Sequence, residues 1–153
     1  MRMIPPALGL GTWGRTGPDG LDAILRAIEI GYRHFDTAQT YGTEANVGEA
    51  IRQSGRPRDA FFVTTKVADT NLASTAFLPS LRRSLDELRV DRIDLTLIHW
   101  PSHEDRVPFE EYIDALAEAR SLGLTTHIGV SNFPSSLVER AVERVDRLNG
   151  GAA

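Results

Sequence analysis

Four side chains in this sequence have the types and the spacing to move a proton: Asp36, Tyr41, Lys66 and His99. Lys66 is the only lysine beside sixteen arginines, and it ends the apolar, β-branched run Phe61-Phe62-Val63-Thr64-Thr65-Lys66-Val67. On such a run an ammonium is the cation whose charge responds most readily to burial. A phenol titrates at about pH 10 and is a poor donor at neutrality, but a neighbouring ammonium stabilises the phenolate and makes it a better acid. In that arrangement Asp36 holds Lys66 charged and aimed, Tyr41 gives the proton, and His99 bonds a substrate oxygen or relays a proton. General acid catalysis of this kind contributes about 10²- to 10⁴-fold. Singly, each residue has an ordinary alternative: a loop cap for Asp36, a half-buried lid residue for Tyr41, a satisfied core histidine for His99 and a strand-end surface cation for Lys66.

The chemistry needs the four to meet, and their spacing supplies the means. Asp36, Lys66, His99 and Ser131 close successive apolar runs at intervals of 30, 33 and 32 residues, and one βα unit takes about 30 residues or more. Tyr41 follows Asp36 by five residues in the same loop. The runs Leu8–Trp13, Tyr32–Thr37, Phe61–Val67, Ile93–Trp100 and Thr125–Ser131 read as strands. Between them, Leu21, Ile24, Leu25 and Ile28 mark a helix that Gly31 ends, with Gly14–Gly20 a loop before it. Further helices are expected over Glu44–Ser54, from about Pro79, from Phe109 to Gly123, and from Pro134, the last with a Ser136-to-Glu139 capping box and Val138, Ala141, Val142 and Val145 buried. Strand and helix alternate five times, which predicts an α/β chain with right-handed crossovers and a parallel sheet. All four strand-closing residues then share the C-terminal edge, where sites form in barrels and open sheets alike.

Several function classes are disfavoured. A formal charge of -4 with scattered arginines gives no basic footprint for nucleic acid or an anionic membrane. Without cysteine there is no disulfide framework or thiolate metal site, and His34, His103 and His127 lack the spacing of a metal pair. No run is long enough to span a bilayer and the start lacks a leader pattern, so a cytoplasmic location is expected. Gly9-Leu10-Gly11-Thr12-Trp13-Gly14 matches the letters of a dinucleotide fingerprint, with Asp36 lying 22 residues beyond its last glycine. The expected late helix and the bulky Trp13 argue against that reading.

Taken together, the motifs resemble the aldo-keto reductase family: Gly9-Leu10-Gly11-Thr12-Trp13, Phe35-Asp36-Thr37-Ala38 leading to Tyr41-Gly42, Thr65-Lys66, Leu97-Ile98-His99-Trp100-Pro101, and Ile128-Gly129-Val130-Ser131-Asn132-Phe133. The wording of the His99 segment is most similar to the bacterial 2,5-diketo-D-gluconate reductase B group, which also reduces methylglyoxal and small carbonyls. The resemblance implies an NADP-dependent oxidoreductase in which Tyr41 donates the proton, Lys66 and Asp36 tune it, and His99 orients the carbonyl while NADPH delivers hydride. It implies Thr12 and Asp36 beside the nicotinamide riboside, Ser131 and Asn132 at its carboxamide, Trp13 and Trp100 lining the substrate pocket, and no metal. The implied fold is an incomplete TIM (β/α)8 barrel over residues 1–148, with 149–153 a frayed tail. A full barrel takes about 250 residues. The sequence is therefore expected to be a truncated form whose remaining units would hold the pyrophosphate and 2′-phosphate, so that alone it binds NADPH weakly. The alternative is an inactive half-barrel that self-associates or pairs with another chain through open sheet edges.

Overall fold

A computed structural model describes residues 5–150; Met1–Ile4 and the last three residues of the expected tail lie outside the described residues. The order is β1 (Leu10–Gly11), α1 (Gly17–Glu29), β2 (His34–Asp36), α2 (Glu44–Gln53), β3 (Phe62–Val67), α3 (Ser74–Leu88), β4 (Ile93–Ile98), α4 (Phe109–Ser121), β5 (Thr125–Val130) and α5 (Ser135–Leu148). All neighbouring strands are parallel and stand in sequence order, β1-β2-β3-β4-β5. A dinucleotide-binding sheet of Rossmann type reverses its strand order at the ligand crevice. This one does not, which removes that reading on topology.

Register places the polar strand ends. Asp36 is level with Thr64, and Lys66 lies two residues further along β3. Lys66 is level with Leu97, and His99 lies two residues beyond that. Leu97 is level with Gly129, so Ser131 continues level with His99. Even-numbered steps keep a strand's side chains on one face, so all four project from the same face at the C-terminal edge. The ladder runs on past the strands, with His99 N donating to Val67 O (3.0 Å) and Ser131 N to Ile98 O (2.9 Å). The opposite face packs on the helices, where Phe35, Val63, Val67 and Ile98 meet a core that includes Ile24, Val47, Phe77 and Ile113. α2 and α3 approach so closely that a Cβ on Gly48 would lie 2.4 Å from Leu88 O.

Three helices differ from the sequence reading. α1 begins at Gly17, inside the expected loop, because Pro18 suits a first helical turn and Asn46 of α2 donates to Arg15 O and Gly17 O, each at 2.9 Å. Gly20 fits there since a Cβ would sit 2.1 Å from the Arg15 carbonyl. α3 begins five residues before Pro79, at Ser74, whose N–H is capped at 2.7 Å by Glu111 from α4. That cap is tertiary, and Pro79 is exposed, so the carbonyl it leaves unbonded can be hydrated. In α5 the Ser136–Glu139 capping box does not form: Pro134 is the N-cap and makes no side-chain cap.

The stripe of α5 is also less covered than expected. Ala141 is buried, but Val138 is 38% and Val142 56% exposed. Instead α5 is held to α4 by polar pairs: Arg144 to Asp114 at 2.5 Å, Arg140 to Glu110, and the Arg140 guanidinium 4.2 Å from the Phe109 ring centre. The valines line a groove of about 420 Å³ beside β5, with Ile128 and Val130.

Candidate active site

Lys66 is 7% exposed, and its three N–H donors all have directions to point. Nζ donates to Asp36 Oδ1, to Thr37 O (3.0 Å), and reaches the Tyr41 hydroxyl at 3.5 Å. Asp36 keeps 39% of its side chain exposed, so the ion pair has one buried and one wet end. Tyr41 closes a 3₁₀ turn over Gln39–Tyr41, and Gly42 takes the left-handed conformation (φ 65°) that releases the chain into α2. A ladder of hydroxyls braces this loop, with Thr43 Oγ1 2.9 Å from both Thr12 Oγ1 and Thr37 Oγ1.

His99 presents its ring edge-on to Tyr41, centroids 5.6 Å apart, and its Nδ1 lies 3.4 Å from Thr40 Oγ1. Burial, and next the Lys66 charge, push its titration below the ordinary histidine value, against the opposing pull of Asp36 and Asp69. The folded state thus favours the neutral ring. Its contribution to stability is complete above the ordinary value and is lost as pH falls toward the folded one. In an NMR titration the His99 midpoint is expected below about 6.5, and Lys66→Met should raise it by removing the second cause. A midpoint unmoved by that substitution would show that burial acts alone.

The other sequence-predicted residues divide. Asn132 sits at φ 61° and is exposed, with Nδ2 donating to His99 O (2.9 Å) and Ser131 Oγ (3.0 Å). Both amide hydrogens are therefore used, which leaves Oδ1 as an acceptor and the Ser131 hydroxyl proton as a donor. That donor and acceptor side by side are the complement of a carboxamide, and the second carboxylate oxygen of Asp36 is an acceptor for a sugar hydroxyl. The side chains present fit the nicotinamide riboside end of a nicotinamide cofactor. Thr12 is fully buried and its hydroxyl bonds Asp36 O (3.2 Å) and Thr43, so it backs Asp36 from within. Trp13 and Trp100 are 78% and 52% exposed; neither packs in the core of this chain.

Two residues near the site escaped the sequence reading. Gln39 makes side-chain bonds to three segments. Glu44 is 3% exposed at the start of α2 and accepts from Thr65 Oγ1 (2.5 Å) and Ser84 Oγ (3.3 Å); burial pushes its carboxyl upward. An acidic residue opening a helix ordinarily signals a solvated first turn, so its type and position alone do not mark it as buried. Among the described residues no group of three or more His, Asp or Glu side chains could hold a metal ion, and no helix is long and apolar enough to cross a membrane.

The chain is 48% identical over 147 residues to the methylglyoxal reductase DkgB of Escherichia coli O157:H7, which covers 96% of this chain and 55% of that protein. It is 44% identical over 131 residues to an aldo-keto reductase of Mycolicibacterium vanbaalenii, covering 84% and 46%. The crystal structure of a protein assigned as a 2,5-diketo-D-gluconic acid reductase B superposes with a TM-score of 0.87 at 47% identity, covering 92% of this chain and 49% of the other. An aldo-keto reductase complexed with NADPH superposes at 0.83 with 35% identity, covering 90% and 47%. The chain spans about half the length of the curated relatives it matches, and its five βα units correspond to part of their (β/α)8 barrel. The sequence profile of the Aldo/keto reductase family matches residues 7–149, and the chain belongs to that family.

Proposed function

We propose that this chain carries the acid and the carbonyl-orienting groups of an NADPH-dependent reductase acting on small aldehydes and ketones, of the methylglyoxal or 2,5-diketo-D-gluconate type. The observation that carries the reading is the convergence on one buried ammonium: Lys66 Nζ joins Asp36 to the Tyr41 hydroxyl, with the His99 ring against Tyr41. NADPH, when bound, supplies the hydride that reduces the carbonyl carbon. The Tyr41 hydroxyl gives its proton to the carbonyl oxygen, and the Lys66 ammonium stabilises the phenolate left behind. His99, held neutral, offers a ring N–H to the same oxygen and orients it. Ser131 would donate to the cofactor carboxamide and Asn132 Oδ1 would accept from it, while Asp36, backed by Thr12, would accept from the ribose. Trp13 and Trp100 would wall the substrate.

The residues that the resemblance assigns to the pyrophosphate and 2′-phosphate fall in later βα units, so weak NADPH binding and slow turnover are expected of these 153 residues. The test is an NADPH titration of the ¹⁵N-labelled chain, with methylglyoxal-dependent NADPH oxidation measured in parallel. Shifts at Ser131, Asn132 and the residues around Asp36 are expected. Saturable binding that leaves those positions unmoved would sink the reading. A second reading, a non-catalytic unit that associates with another copy or chain, is favoured by the uncovered Val138 and Val142 of α5. Absent shifts together with concentration-dependent sedimentation would decide for it.

A further inference from the structure

We infer that Gln39 is the positioning residue for the Tyr41 acid: its side-chain amide bolts the turn that carries Tyr41 to the end of the strand that carries Lys66. The inference rests on the proposed role of Tyr41. The hydroxyl ladder braces the flanks of that turn at Thr37 and Thr43, and Thr40 Oγ1 lies 3.4 Å from His99 Nδ1, but its other ties are few. Tyr41 N bonds Ala38 O within it (3.0 Å), Gly42 follows at a left-handed φ, and the hydroxyl contact to Lys66 is long at 3.5 Å. Gln39, by contrast, uses its whole hydrogen-bonding capacity. Oε1 accepts from Ala68 N and from Asn71 Nδ2, each at 2.9 Å, and Nε2 donates to Ser80 Oγ and Ser84 Oγ, each at 3.1 Å. An amide has two donors and two acceptor positions, so all four are filled.

The partners fix what the bolt does. Ala68 follows Lys66 by two residues and Asn71 lies in the next turn, so the Oε1 side sets the Tyr41 turn against the β3 end. Ser80 and Ser84 are buried on α3, so the Nε2 side anchors the same amide to the helix layer. Ser84 also donates to Glu44, which accepts from Thr65 beside Lys66, and the network thereby returns to β3. A misplacement on the order of 1 Å can cost about 10²-fold in rate, so the register between this turn and β3 bears directly on proton transfer.

The test reads geometry without cofactor. In the wild-type chain the Tyr41 and His99 ring protons should give a mutual nuclear Overhauser effect, since the rings sit edge to face at 5.6 Å. Gln39→Leu, similar in bulk and without polar atoms, is expected to lose that signal and to lower kcat by about 10- to 10²-fold, with KM for NADPH little changed. Gln39→Glu keeps the Oε1 acceptor shared by Ala68 N and Asn71 Nδ2, and should retain the signal and most of the turnover. Asn71→Ala deletes one half-buried partner, so it reports even where Gln39→Leu fails to fold, and should weaken both readouts. An intact Tyr41–His99 signal in folded Gln39→Leu, or unchanged readouts in Asn71→Ala, would overturn the inference. A merely structural role would lower the melting temperature and spare the ring contact. Full turnover in Tyr41→Phe would instead strike the proposed function and leave the ring measurement standing, so the two failures are distinguishable.

Discussion

Tyr41→Phe is expected to lower methylglyoxal-dependent NADPH oxidation by about 10²- to 10⁴-fold, while NADPH binding and the fold stay as they were. The substitution removes one oxygen and little packing. That oxygen makes a single long contact, to Lys66 at 3.5 Å, while the ring keeps its edge-to-face position on His99 and its place under the Lys66 ammonium, 5.0 Å from the ring centre. Loss of one partly solvated hydrogen bond costs stability only about 0.5–1.5 kcal/mol. A fall in turnover with unchanged cofactor binding therefore isolates the acid. The ratio of the two rates should be the same in the chain and in the chain continued by the later βα units of the Escherichia coli relative, because Asp36, Tyr41, Lys66 and His99 all stand within the five units described. Equal rates for the two proteins in the continued form would take Tyr41 out of the mechanism.

The same arrangement shows what the sequence could and could not disclose. Spacings of 30, 33 and 32 residues place Asp36, Lys66, His99 and Ser131 on one edge, since each βα unit returns the chain to the same end of the sheet. Strand parity then brings them to one face, a step that needed only the register. Elements whose limits depend on distant partners were not legible. α3 starts early because Glu111 caps Ser74 from 37 residues away, and no local pattern near Ser74 announces it. Val138 and Val142 carry the right period for a buried stripe, yet periodicity says which residues share a face and not whether anything covers that face. Gln39 and Glu44 are ordinary polar residues in sequence, and only partners 21 to 45 positions away make them part of the site's frame. The burial of Thr12 was equally out of reach of the motif, since its hydroxyl is engaged by Asp36 O and by Thr43 from 24 and 31 positions away.

Lys66→Met separates the chemical from the structural work of the buried ammonium. Methionine is unbranched and fills a similar slot, so the packing around a residue only 7% exposed is expected to survive. What is lost is a donor to Thr37 O and the partner of Asp36. Stranding a fully buried charge costs about 3–5 kcal/mol, but Asp36 is 39% exposed and water can take the vacated place, so about 1–2 kcal/mol is expected here. Turnover should fall, though no further than in Tyr41→Phe, because the acid remains but its phenolate forms with no cation beside it. Lys66→Arg is not expected to restore it: a planar guanidinium is too broad for a slot that holds one compact charge between Asp36, Thr37 and Tyr41. The double variant Lys66→Met with Asp36→Asn removes the stranded carboxylate as well. In urea denaturation it should regain much of the stability lost by Lys66→Met, yet its turnover should stay as low. Recovery of turnover along with stability would mean that Lys66 serves only to neutralise Asp36, and that the acid acts without its ammonium.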